Sequence, residues 1–210
     1  SCAGLPVTRR LTQYSRTLLH WGLVLCKPLR PRLGVLQQHR PRPMDPPAAH
    51  AFPGHLQAPR ISLVTPSFRQ AAYIRRTLDS VLDQRYPNLD YFVQDGGSDD
   101  GTVDILRGAP SWPGGWASAR DSGQAQAVNR GFARSDGEIM GWLNSDDLLL
   151  PGALARVAEF MVRHPEVDVV YGHRILIDEQ DREIGRWLLP AHDDEVLRYA
   201  DFVPQETLFW

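Results

Sequence analysis

Cysteine is nearly absent from this chain: Cys2 and Cys26 are the only two in 210 residues, and both lie near the start. Two cysteines without metal spacing exclude a disulfide framework and a structural zinc module, and a reducing compartment is the expectation. Long apolar runs are missing as well. The longest near the start, residues 18–26, is interrupted by His20 and falls well short of the ~20 residues of a membrane-spanning helix. Several signature loops are also lacking. There is no G-x-x-x-x-G-K-[ST] run and no G-x-S-x-G elbow, which excludes a P-loop and the common serine-hydrolase turn. No G-x-G-x-x-G follows the first apolar strand pattern, which argues against a dinucleotide fold. The stretch from Asp95 begins like a calcium loop, but Asp100 holds the sixth position, where glycine belongs, and Leu106 the twelfth, where glutamate belongs. No internal repeat is visible.

What is there suits one soluble domain with an appendage: 42% hydrophobic and 23% charged residues, with a net charge of −2. The charge is uneven. Residues 1–60 carry nine Arg or Lys against one acid, Asp45, whereas residues 61–210 carry 14 basic and 24 acidic side chains. A basic lead segment on an acidic domain is either a solvated tail or a surface for anionic membranes or a partner. Within it, residues 9–26 have the spacing of a short helix (Leu11, Tyr14, Leu18, Trp21), and residues 27–60, dense in Pro and Arg, are expected to resist helix and strand alike and to form a linker or a strap. The expected division is a basic Pro/Arg-rich segment over 1–58 and a folded domain over 59–210. The chain starts at Ser1 and ends inside an apolar run, so a fragment cut at both ends is expected.

From Ile61 strand and helix patterns alternate. ISLVT is a continuous apolar strand, and residues 71–84 follow as a helix with Ile74, Leu78, Val81 and Leu82 on one face. Residues 91–94, 116–119 and 139–143 are predicted strands, residues 102–107, 124–134 and 152–163 helices, and residues 168–171 a further strand. Residues 174–178 and 183–188 flank a polar turn as a hairpin, and residues 193–200 read as a short helix. Such alternation implies an α/β fold, a mostly parallel sheet with helices on both faces and a C-terminal hairpin. Ligands in such sheets bind at the carboxyl ends of the strands. The unusual polar clusters all fall there: residues 65–68, 95–100, 120–121 and 144–147.

The last cluster is the most telling. Asp146 and Asp147 sit side by side at the mouth of a buried strand, a costly arrangement unless a cation is near. A divalent metal holding a diphosphate is one partner, and a cap for the helix that follows is the other reading. Phe68 could pack a base, Asp95 could accept a ring N–H or act as a turn former, and Gly96 and Gly97 let a ligand approach the backbone.

The segments ISLVTPSFRQAAYIRRTLDSVLDQRYPNLDYFVQDGGSDDGT, ASARDSGQAQAVNRGF, GEIMGWLNSDDLLLPGAL, HPEVDVVYG and VPQETLFW resemble, in order and spacing, those of family-2 glycosyltransferases, over residues 59–210. The resemblance implies the nucleotide-diphospho-sugar transferase (GT-A) fold and inverting transfer of a sugar from a UDP- or GDP-type donor to a hydroxyl of a glycan or lipid-linked acceptor. It implies bacterial cell-surface polysaccharide synthesis; with the cysteine usage above, a cytoplasmic location is expected, with peripheral membrane contact through the basic segment as one of that segment's readings and no nucleic acid. By position, Thr65, Pro66, Ser67 and Phe68 would line the nucleoside pocket. Asp95 would bind the base, with Gly97 and Ser98 in its loop, and Arg120 and Asp121 would lie near the ribose or sugar. Asn129, Asn144 and Ser145 would complete the donor contacts, and Asp146 and Asp147, in an NSDD variant of the family's DXD motif, would serve Mn2+ or Mg2+ and the diphosphate. Three departures stand out: Ala119 for a usual Glu, Gln126 for a common Asp, and Asn144 for the first acid of DXD. The family's general base lies beyond Trp210, and Glu206 is the nearest carboxylate. A non-catalytic nucleotide-sugar-binding module is the alternative. A nucleotidyltransferase would need a Gly-rich basic loop after the first strand, which residues 66–70 do not supply.

Overall fold

The computed structural model describes residues 33–210. The helix expected over residues 9–26, with Cys2 and Cys26, lies outside these residues. At the centre is strand β2 (Ile61–Ser67), buried at all seven positions. It pairs in parallel with β3 (Leu89–Asp95) on one side and β5 (Ile139–Trp142) on the other, and β3 pairs with β4 (Gly114–Ser118), giving the order β4-β3-β2-β5. Ile61, Leu63 and Val64, with no charged residue in the strand, suit burial on both faces, and the polar Ser62, Thr65 and Ser67 are small enough to be buried with them. The crossovers are α1 (Ile74–Leu82), α2 (Thr102–Gly108) and α3 (Gln124–Phe132). Helix α1 buries Ile74, Thr77, Leu78 and Val81, the three- and four-residue spacing of one helical face. Helix α3 lies close on the sheet at Gly131, where an added Cβ would stand 2.4 Å from a Val64 methyl carbon. Beyond β5 the C-terminus continues the sheet antiparallel: Met140 N donates to Trp210 O at 2.7 Å, and Trp210 N returns a bond to Met140 O at 3.1 Å. The strand expected over residues 168–171 reduces to one bridge, Val170 with Phe209.

Helix α1 begins three residues later than the apolar spacing suggests. The preceding amides are claimed by the next loop: Gln70 N donates to Thr102 Oγ1 at 2.9 Å and Ala71 N to Asp100 Oδ2 at 3.0 Å. Side-chain acceptors there offer the backbone an alternative to helix.

The Pro/Arg-rich stretch departs from its expectation. Val35–Pro43 forms strand β1, antiparallel to β7 (Arg182–Leu188), which pairs in turn with β6 (Arg174–Ile177) in the order β1-β7-β6. Pro41 and Pro43 are tolerated because β1 is an edge strand, and its register shifts between Gln38 and Arg42. Glu183 on β7 is fully buried. It accepts from His39 Nε2 at 3.0 Å, from Arg42 at 2.6 Å, and from Arg186 at 2.8 and 2.7 Å. The Arg186 guanidinium, then Arg42 and His39, hold its carboxyl far below the usual range. The stretch after β1 has no helix or strand up to Ile61. His50 Nε2 meets Glu159 Oε2 at 2.5 Å on α4 (Ala153–Arg163), and Phe52 packs edge-on against Tyr86 at 5.7 Å.

The segment Pro190–Phe202 is a separate unit. Its helix α5 (Asp194–Leu197), shorter than expected, is capped by Asp193, whose carboxylate accepts from the Glu195 and Val196 amides at 3.0 and 3.1 Å. No helix among the described residues is long and apolar enough to cross a membrane.

Candidate functional site

A cleft of about 890 Å³ opens at the carboxyl ends of the parallel strands, and four loops meet around it. Residues 66–70 follow β2, Gly96, Gly97 and Asp99 follow β3, residues 120–124 follow β4, and residues 144–146 follow β5. Ala127 of α3 lies at its floor, and Gly123 and Gln124 bring the start of that helix to the cleft, where unpaired amides favour an anion.

The first two loops are stapled together. Arg69 has a left-handed backbone (φ 55°). Its amide donates to Ser98 Oγ at 2.8 Å, and its guanidinium grips Asp99 with two bonds of 2.8 and 2.9 Å. That fork holds the Asp99 carboxyl below its usual value, and the Thr102 hydroxyl does the same for Asp100. Gly97, at φ 86°, turns the second loop. Two polar atoms of the first loop, Ser67 Oγ and Gln70 Oε1, are buried without a hydrogen-bond partner among the described residues. Phe68 beside them is 56% exposed. Unpaired buried acceptors and an exposed ring on a cleft wall are groups that a bound ligand would satisfy and cover.

The opposite wall is acidic. Asp146 lines the cleft and is exposed, and Asp147 stands behind it, half-buried. Helix α1 sets this turn: Thr77 Oγ1 lies 2.8 Å from Ser145 O and 3.0 Å from Asp147 O. Burial, then the charges of Glu206 and Asp146, push the Asp147 carboxyl up to about 6; the Asn144 amide, 3.3 Å away, and the Arg174 charge oppose this only in part. Arg174 is itself engaged by Glu206 at 3.2 Å. Negative charge is therefore under-compensated here, and the donors are hard oxygens, a set that fits a divalent cation such as Mg2+ or Mn2+. No group of three or more His, Cys, Asp or Glu side chains converges among the described residues. The chain would supply Asp146 and Asp147, leaving other positions to phosphate and water, the usual habit of magnesium.

The expected site residues divide. Pro66, Ser67, Phe68, Gly97, Arg120, Asp121, Asn144, Ser145 and Asp146 line the cleft. Thr65, Asp95, Ser98, Asn129 and Asp147 do not. Thr65 is buried and accepts from the Tyr91 hydroxyl at 3.0 Å. Asp95, also buried, organises its own loop: Oδ2 accepts from the amides of Gly97 and Ser98, each at 2.9 Å, and from Ser118 Oγ at 2.6 Å, while Oδ1 accepts from Ser98 Oγ at 2.5 Å. Asn129 is exposed on α3. Sequence reasoning overlooked Arg69, Gln70 and Gln124, which line the cleft, and gave Asp99 no role beyond its place in the 95–100 cluster. The signal for Gln124 was its place at a helix start directly after the fourth-strand loop; Arg69 carried none beyond a charge opposite to that of Asp99.

A family model for glycosyl transferase family 2 matches residues 62–202. An uncharacterized glycosyltransferase of Mycobacterium tuberculosis is 33% identical over 159 residues, 73% of this chain and 59% of that protein. The O-antigen biosynthesis protein RfbC of Myxococcus xanthus is 31% identical over 69% of this chain and 12% of its own length. Among solved structures, a mannosyltransferase from Pyrobaculum calidifontis in complex with GDP-Man and Mn2+ superposes with a TM-score of 0.52 and 25% identity, over 65% of this chain and 40% of that one. The chain thus spans 59% of the length of its mycobacterial relative. Fold, cleft position and sequence likeness agree, and the chain belongs to glycosyl transferase family 2.

Proposed function

We propose that residues 59–210 form the donor-binding part of an inverting transferase that moves a sugar from a UDP- or GDP-type donor to a hydroxyl of a glycan or lipid-linked acceptor, in surface polysaccharide assembly. The observation that carries this is the pairing, across one cleft, of unsatisfied Ser67 and Gln70 oxygens with an acidic wall whose charge the chain's own cations offset only in part. Ser67 and Gln70 bind the nucleoside, and the Phe68 ring stacks on the base. Asp95 shapes the Gly97–Ser98 turn on which the base rests, and its Oδ1, with a single donor, keeps capacity for a ring N–H. Arg120 and the α3 amides offset the phosphate charge. Asp146 and Asp147 hold a divalent ion, which supplies electrostatic stabilisation of the departing diphosphate. The basic segment, residues 1–58, contacts anionic lipid at the periphery of the membrane.

The test is thermal. UDP or GDP with Mn2+ raises the melting temperature of the wild type, and Asp146→Ala removes the rise. No shift with either nucleotide would overturn the reading.

A further inference from the structure

Three side-chain amides join end to end between the cleft and the C-terminal strand. Gln205, in the short 3-10 turn Gln205–Thr207, donates from Nε2 to Trp142 O at 2.5 Å. Its Oε1 accepts from Asn144 Nδ2 at 2.9 Å, and Asn144 Oδ1 accepts from Gln124 Nε2 at 2.6 Å. Asn144 Nδ2 also reaches Asp147 Oδ2 at 3.3 Å. The chain has a fixed direction. A backbone carbonyl can only accept, so Gln205 must turn its NH2 to Trp142 and its oxygen to Asn144. Asn144 must then present its NH2 to Gln205 and Asp147, and its oxygen to Gln124. Each link leaves the next a single orientation.

We infer that Gln205 and Gln124 are positioning residues: together they lock the Asn144 amide so that its NH2 faces Asp147 and holds that carboxylate in place behind Asp146. This rests on the reading of Asp146 and Asp147 as the cation's ligands. It gives a reason for asparagine at 144. A carboxylate there would set oxygen against the Gln205 and Asp147 oxygens, whereas an amide supplies the donor that both accept. It also ties the acidic wall to two distant segments, the start of α3 and the C-terminal turn, through one side chain. Partners that orient ligands from behind commonly matter 10–100-fold for metal affinity.

The experiment compares wild type, Gln124→Met, Gln205→Met and the double variant, each also on an Asn144→Ala background. Calorimetry reads the affinity for Mn2+ with UDP and for Mn2+ with GDP. Nuclear magnetic resonance of the metal-free protein reads the side-chain amide of Asn144. Each single variant is expected to weaken Mn2+–nucleotide binding about 10-fold and to shift the Asn144 amide resonance. The double variant falls no further than the weaker single variant, because either break uncouples the same amide. On the Asn144→Ala background neither substitution changes affinity. Gln124 lies on an exposed helix start, so Gln124→Met carries the test if loss of Gln205 loosens the C-terminal strand. Unchanged affinity with an unmoved Asn144 resonance overturns the relay while leaving the transferase reading intact. Additive losses that persist without Asn144 overturn it too. A wild type that binds neither nucleotide overturns both.

Discussion

Two sheets of this protein each hold a buried or half-buried acid, and the surroundings are opposite. Glu183, in the antiparallel sheet, meets two guanidinium groups and an imidazole, and its carboxyl is driven far down. Asp147, at the rim of the parallel sheet, meets Glu206 and Asp146, and its carboxyl is driven up to about 6. A buried charge with its partners inside the chain fastens a fold: Glu183 ties β1 to β7 across 141 residues of sequence. A charge left with like neighbours costs stability until something cationic arrives. The contrast separates a structural acid from one prepared for a ligand, without reference to any relative.

The largest effect on stability is expected from the structural acid. Glu183→Gln keeps the shape but removes the charge that Arg42 and Arg186 share. It is expected to lower the melting temperature by roughly 5 °C, with nucleotide binding unchanged, as differential scanning fluorimetry would show. A larger loss of nucleotide binding than of stability would erase the distinction.

The next effect is in pH. The Glu183 carboxyl titrates lower in the folded state than its unfolded value near 4.5, so its contribution is present above that pH and disappears as pH falls below it. The Asp147 carboxyl titrates higher in the folded state, about 6 against 3.8, so the folded state holds the extra proton in between, and stability is lost as pH rises through that window. In metal-free protein, the melting difference between wild type and Asp147→Asn should therefore change between about pH 4 and 6. The difference for Glu183→Gln should change below about pH 4.5. Two curves with the same window would contradict the comparison.

How far the sequence led follows the same division. The central strand was legible because its seven buried positions carry no charge, and Ile61, Leu63 and Val64 stand among small polar residues that burial tolerates. The four loops were legible because each polar cluster directly follows a strand, and the topology carries all four to one edge. Strand β1 was not, because its partner is over a hundred residues away and Pro41 and Pro43 mask it. Asp95 was legible both as an acceptor and as a turn former; its donors, the Gly97 and Ser98 amides and the Ser98 and Ser118 hydroxyls, were not, because the loop's backbone and the neighbouring strand place them. Gln205 could be noticed only as part of a likeness, since its partners Trp142 and Asn144 are remote in sequence.

The smallest effect concerns the rim itself. Arg69 combines a left-handed backbone with an exposed fork to Asp99. Arg69→Asn relieves the first and removes the second. Exposed pairs contribute little and Asn tolerates that backbone, so the melting temperature should move by no more than about 2 °C. A larger fall would mean that the staple between the two loops belongs with Glu183 among the structural contacts.

The most direct measurement is the melting temperature of Asp147→Asn at pH 7, without ligand and with Mn2+ and UDP or GDP. The variant is predicted to melt above the wild type when metal-free, because an uncompensated charge is gone, and to lose the rise that Mn2+ and nucleotide give the wild type. A variant that melts below the wild type and still responds fully to Mn2+ and nucleotide would show that the acidic rim is part of the scaffold.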